Sequence, residues 1–205
     1  MKSLLNVIFW FHLIFLTLTV PAVAKNVFPH DVISPLNKAV TLPSLSTNEI
    51  LSTMKEVGQA KLTKFFFDIY QSRLLVHSAE FNTDLLLNSK DKQSIYPIAF
   101  KITYLRDIKS KYLVKETVKQ WQHLNISEKE YGTFIPYLSQ LWPNINKDDT
   151  LLLYISNNQS VFYLNNEYLG QINNMTFGML FLNIWLSEST SEPELRQQLL
   201  GLSTN

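Results

Sequence analysis

The residues of this chain best suited to chemistry are cations and phenols: Lys61, Tyr70, Arg73, Tyr104, Arg106 and Tyr112, with Lys64 beside them. They lie on or next to two aromatic-rich segments, Ala60 to Val76 and Tyr96 to Tyr104, and in the first turn of a helical pattern that starts at Ser110. A cation and a tyrosine hydroxyl at the mouth of an apolar pocket can hold a carboxylate or a phenolate through charge-assisted hydrogen bonds. The competing reading makes the aromatics core, the phenols ordinary hydrogen-bond partners and the cations surface. Neither reading supplies a catalytic residue. The six residues named first are therefore the candidate ligand-binding set.

Other chemistries lack their residues. The histidines His12, His30, His77 and His123 are scattered, with no H-E-x-x-H pair and no acidic calcium loop, so no metal site and no cofactor are expected. Asp148-Asp149 reads as a solvated turn whose carboxylate accepts from nearby amides. There is no cysteine, which excludes disulfides, zinc–thiolate sites and thiol nucleophiles. There is no G-x-S-x-G elbow, and every glycine is isolated, so no phosphate-cradling loop exists.

The elements that must position the candidates begin after a targeting segment. Leu4 to Val20 is almost wholly apolar, follows Lys2 and ends at Pro21-Ala22-Val23-Ala24. That is the pattern of a secretory signal peptide cleaved after Ala24; the competing reading is a retained membrane anchor. Residues 1–24 are expected to be removed, which makes the protein periplasmic or secreted, with no membrane span left. Lys and Arg number 18 against 17 Asp and Glu, and Lys2 is the only charged residue before Lys25, so the remainder is balanced. A balanced chain does not suit nucleic acid, which needs concentrated positive charge.

Residues 25–49, with Pro29, Pro35 and Pro43, read as an irregular arm that adds an edge strand near Ala39 to Leu42. Residues 50–205 read as one domain. Ile50 to Val57 fits either a strand or a short helix. Ala60 to Val76 reads as a long central strand with aromatics on both faces, Ser78 to Ser94 as a loop or short helix, and Tyr96 to Tyr104 as a further strand. Helical spacing follows from Ser110 through Trp121. Ser127 with Glu130 forms a capping-box pattern opening a helix over Glu128 to Leu141, kinked at Pro136. Leu151 to Ser156, Ser160 to Leu164 and Tyr168 to Ile172 are strands joined by turns at Asn157-Asn158 and Asn165-Asn166. An apolar helix over Thr176 to Leu186 and an amphipathic one from Pro193 complete the chain; they offer no reactive group and read as support. This order predicts an α+β fold whose sheet is mainly antiparallel.

Several stretches together resemble the bacterial chalcone isomerase-like domain family. They are V-G-Q-A-K-L-T-K-F-F-F-D-I-Y-Q-S-R-L-L-V at Val57 to Val76, I-T-Y-L-R-D-I at Ile102 to Ile108 and L-W-P-N-I-N-K-D-D at Leu141 to Asp149. Two more are F-Y-L-N-N-E-Y-L-G at Phe162 to Gly170 and the I-W-L…E-P-E-L-R-Q-Q-L-L-G pattern ending at Gly201. The resemblance implies an open-faced β-sandwich, a mainly antiparallel sheet with helices on one face. It also implies either cyclisation of a chalcone or binding of a fatty acid, through an arginine and tyrosines. On the family pattern the arginine falls at Lys61, a threonine near Tyr70, the tyrosine at Tyr112 and an asparagine near Lys119. A lysine lacks the planar fork of arginine. The expectation is an exported, soluble, non-catalytic domain that holds a small apolar or amphipathic ligand. The alternatives are an intramolecular lyase or isomerase of a hydrophobic carbonyl compound, and an envelope interaction protein.

Overall fold

The computed structural model describes residues 46–77, 95–156 and 158–202. The signal peptide, the arm up to residue 45 with its edge strand, the segment 78–94 and Asn157 lie outside the described residues.

Alternation is cleanest in Ile98–Tyr104, which forms β3: Ile98, Phe100, Ile102 and Tyr104 turn to the main core, while Ala99 joins a smaller cluster on the opposite face. Around it stand β1 (Lys55–Lys64), β2 (Phe67–Val76), β4 (Thr150–Ile155), β5 (Ser160–Leu164) and β6 (Glu167–Ile172). The sheet is an antiparallel meander in the order β1-β2-β3-β4-β5-β6, each strand pairing with its sequence neighbour. Asn165 and Asn166 turn β5 into β6 with φ of 50° and 75°, the left-handed pair a tight two-residue hairpin needs.

The long central strand expected over Ala60 to Val76 is instead a hairpin, and β1 is an edge strand. Lys64 pairs with Phe67, so Phe65 and Phe66 are the whole turn. No Gly, Asn, Asp or Pro marks this reversal, and Phe65 takes a φ of 57°, where glycine or asparagine is usual. A period-two reading runs straight through such a turn.

Between β3 and β4 the chain leaves the sheet and covers one face of it with α2 (Ser110–His123), α3 (Glu128–Tyr131), a 3-10 turn (Gly132–Phe134) and α4 (Ile135–Leu141). The expected kinked helix is thus two helices. The Glu130 carboxylate accepts from the Ser127 amide and hydroxyl at 3.1 and 2.7 Å. Pro136 sits in the first turn of α4, where its missing N–H costs nothing. After β6, α5 (Phe177–Leu186) joins the same layer, and α6 (Pro193–Leu199) packs on β1. A Cβ at Gly58 would stand 2.1 Å from the Gln198 carbonyl oxygen, so only glycine permits this approach. The short α1 (Thr47–Ser52), capped by Ser46 and Glu49, lies against the opposite face, where Ile50, Leu51 and Met54 pack around Leu152 and Val161. The result is an open-faced α+β sandwich whose main core lies between the sheet and α2 to α5.

Candidate ligand-binding cavity

Burial between the sheet and its helical layer is incomplete. A cavity of about 330 Å³ remains, bounded by β1 to β4, α2, α5 and the turn before α6. This is at the small end of the roughly 300–1,000 Å³ typical of small-molecule sites. Its inner wall is apolar: Ile102, Leu151, Phe181 and Ile184 are all buried, with Trp142 and Trp185 completing it. The aromatic wall is held by ring contacts, with Phe181 5.6 Å from Trp142 and 5.2 Å from Trp185. Lys64, Tyr112 and Glu116, all exposed, form the rim with Glu192.

Polar groups in the wall are few, and those of the interior are donors. The Trp185 Nε1–H donates to the Tyr70 hydroxyl oxygen at 2.8 Å, which leaves the Tyr70 proton available to another acceptor. The Tyr104 ring meets that of Tyr70 edge-on at 6.2 Å between centroids, and its hydroxyl has no hydrogen-bond partner among the described residues. The Trp142 Nε1–H is buried without a partner among the described residues. Removal from water pushes both phenols well above the ordinary tyrosine range. At Tyr70 the Trp185 hydrogen bond opposes this and the Glu192 charge reinforces it; at Tyr104 the neighbouring phenol reinforces it. Both therefore remain protonated donors at neutral pH. At the rim, charges are matched: Lys64 pairs with Glu192, and Lys119 with Glu116 at 2.6 Å. Ser191 donates to Gln120 at 2.9 Å, tying the turn before α6 to α2.

The six candidates divide evenly. Tyr70, Tyr104 and Tyr112 line the cavity, whereas Lys61, Arg73 and Arg106 do not. Lys61 reaches Asp68 at 2.8 Å on the exposed surface of the hairpin. Arg73 points to Glu56 at 3.6 Å. Arg106 lies 5.7 Å above the ring of Phe67. Alternation along β1 accounts for the shift: Leu62 and Lys64, two positions apart, line the cavity, whereas Lys61 pairs with Asp68 outside it. The C-terminal segment, read as support only, supplies Phe181, Ile184, Trp185, Ser191 and Glu192 to the wall. Its one legible signal was the amphipathic indole of Trp185 in an otherwise apolar helix, since a buried N–H needs an acceptor.

The model of the family described as chalcone isomerase-like matches residues 52–201. The chain belongs to that family. No curated protein matches it significantly. Among solved structures, this chalcone isomerase-like domain is similar to an Arabidopsis thaliana fatty-acid binding protein. The TM-score is 0.52 and the identity 10%, over 72% of this chain and 87% of that one. At that identity the likeness concerns the fold alone. Of the positions that the family pattern singles out, this chalcone isomerase-like domain places Tyr70 and Tyr112 at the cavity, leaves Lys61 on the surface and engages Lys119 with Glu116. Asp148 and Asp149, by contrast, form a turn: the Asp149 carboxylate accepts from the Asn146 amide and the Asn165 side chain, each at 2.7 Å. Among the described residues no cluster of acidic and histidine side chains could hold a metal ion, and no helix is long and apolar enough to cross a membrane.

Proposed function

We propose that this chalcone isomerase-like domain binds a small, mainly aliphatic molecule in the cavity, with an oxygen acceptor of that molecule held by the Tyr70 and Tyr104 hydroxyls, and that it catalyses no reaction. One observation carries the reading: the apolar cavity is lined by Tyr70 and Tyr104, whose hydroxyl protons have no acceptor among the described residues. Buried donors of this kind are costly unless something satisfies them. The fatty-acid binding protein of similar fold favours an aliphatic ligand over a flat aromatic one. Chalcone-type ring closure needs a phenolate or enolate stabilised by positive charge, and Lys64, the cation lining the cavity, is engaged by Glu192. Two phenols held protonated are also poor bases.

Native mass spectrometry of the protein isolated from its own host is the direct test. A co-purifying molecule of lipid-like mass supports the reading. An empty protein that also fails to bind both a long-chain fatty acid and the matching alcohol by calorimetry overturns it. We further propose that residues 1–24 are removed on export to the periplasm or medium. The isolated protein then begins at Lys25; an N-terminus at Met1 overturns that part.

A further inference from the structure

The largest apolar exposure among the described residues is not at the cavity but at the tip of the β1–β2 hairpin. Phe65, Phe66 and Phe67 are 72%, 96% and 64% exposed. Other exposed large apolar residues, such as Tyr168, Met175 and Leu202, are scattered singly in the sequence. Three consecutive phenylalanines in water are a standing cost that folding alone does not explain. Local backbone preference does not explain them either, because Phe65 occupies a left-handed φ of 57° that glycine or asparagine adopts more easily. From this tip we infer that the hairpin is a membrane-docking element, which inserts its phenylalanines at the headgroup boundary of a lipid bilayer.

The geometry favours lipid over a protein partner. Consecutive residues around a two-residue turn project in different directions, so the rings present no single flat face for a folded partner to cover. A fluid interface surrounds a protrusion of any shape. Behind the tip stand cations on long stems: Lys61, Lys64 and Arg106. Such stems run along apolar surface and hold their charge at the phosphate level. Lys61 and Lys64 are matched by Asp68 and Glu192, whereas Arg106, stacked on Phe67, has no carboxylate partner among the described residues and is left for a lipid phosphate. With so little excess charge, attachment is driven by the rings and depends weakly on salt. Leu62, Lys64 and Ile69 belong both to the hairpin and to the cavity wall, so docking sets the cavity mouth against the bilayer. Loading of a ligand from the membrane would rest on the function proposed above; docking does not, and it is measured without ligand.

The test uses the full chain as its host processes it, with vesicles of phosphatidylcholine alone and of phosphatidylcholine with phosphatidylglycerol. Burying roughly 55 Å² of apolar surface changes partitioning about tenfold, and one phenylalanine offers more than that. The double variant Phe65→Asn with Phe66→Ser should bind vesicles at least about tenfold more weakly while keeping the wild-type melting temperature or exceeding it. A second variant, Phe66→Trp, reports the tip's position even if another segment also attaches. Its added emission should shift to the blue on vesicles and be quenched by brominated acyl chains. An emission that stays solvent-like and unquenched overturns the proposal. So does wild-type binding by the double variant. Self-association, or cross-linking from position 66 to a host protein, without vesicle binding would assign the tip to a second copy or a protein partner and also overturn it.

Discussion

Replacing each of the two inner cavity phenols, Tyr70 and Tyr104, by phenylalanine should separate stability from binding, because only the Tyr70 hydroxyl has a hydrogen-bond partner among the described residues. Tyr70→Phe removes the acceptor of the Trp185 N–H at 2.8 Å and leaves a mostly buried donor unsatisfied. The cost is that of desolvating an unpaired donor, about 1–3 kcal/mol. For a domain of this size that lowers the melting temperature by roughly 2–4 °C per kcal/mol. Tyr104→Phe removes a hydroxyl that has no partner among the described residues, so the empty protein should be unchanged or slightly more stable. If this hydroxyl donates to the ligand, its loss costs about 1 kcal/mol of binding, or roughly fivefold in Kd. Calorimetric melting of stripped protein and titration with a long-chain fatty acid and the matching alcohol give the two numbers. A Tyr104→Phe protein that is clearly destabilised when empty, or that binds as wild type, would refute the assignment of Tyr104 to the ligand.

Three further outcomes follow from the same structure. Glu192→Gln should release Lys64 and raise affinity for a fatty acid severalfold while leaving that for the alcohol unchanged; the exposed pair itself adds only about 0–1 kcal/mol to stability. Equal changes for both ligands would show that Lys64 does not meet the head group. Gly58→Ala should destabilise by ~3 kcal/mol or more, because the new methyl meets the backbone carbonyls of Gln198 and Leu199, which cannot rotate away. Chemical denaturation with near-wild-type stability would show that α6 does not lie on β1 as described. Finally, Tyr70 and Tyr104 have folded-state pKa values raised by burial above the unfolded value of about 10. Their contribution is present in full below about pH 10 and is lost as pH rises from there through the folded values. Melting temperatures should fall above about pH 10, and the last two phenolate signals should appear only with unfolding. Smooth titration of every tyrosine in the folded protein would contradict this.

Much of the architecture could be read from local pattern. The strands β3 to β6, the helices α2, α5 and α6, and the antiparallel order follow from alternation, helical spacing and the Asn165-Asn166 turn, because each signal is confined to a few neighbouring residues. Reading failed where no residue announced the reversal. Phe65-Phe66 has the chemistry of a strand and the geometry of a turn, so the period-two pattern runs on as one strand where the chain makes a hairpin. Pro136 resembles a kink in the sequence because its place in the first turn of α4 depends on where the preceding helix stops. The site divides along the same line. That phenols and cations near Tyr70, Tyr104 and Tyr112 were its material is a property of composition and local spacing. Which of them share a cavity is set by the β1–β2 bend and by the seat of α5 and the turn before α6, and that turn brings Glu192, 128 positions further along the sequence, to Lys64. The sequence by itself determined the α+β class, most of the strands and helices, and the family. Only tertiary packing decided which side chains face each other, since that depends on contacts between segments whose spacing along the chain carries no periodic signal.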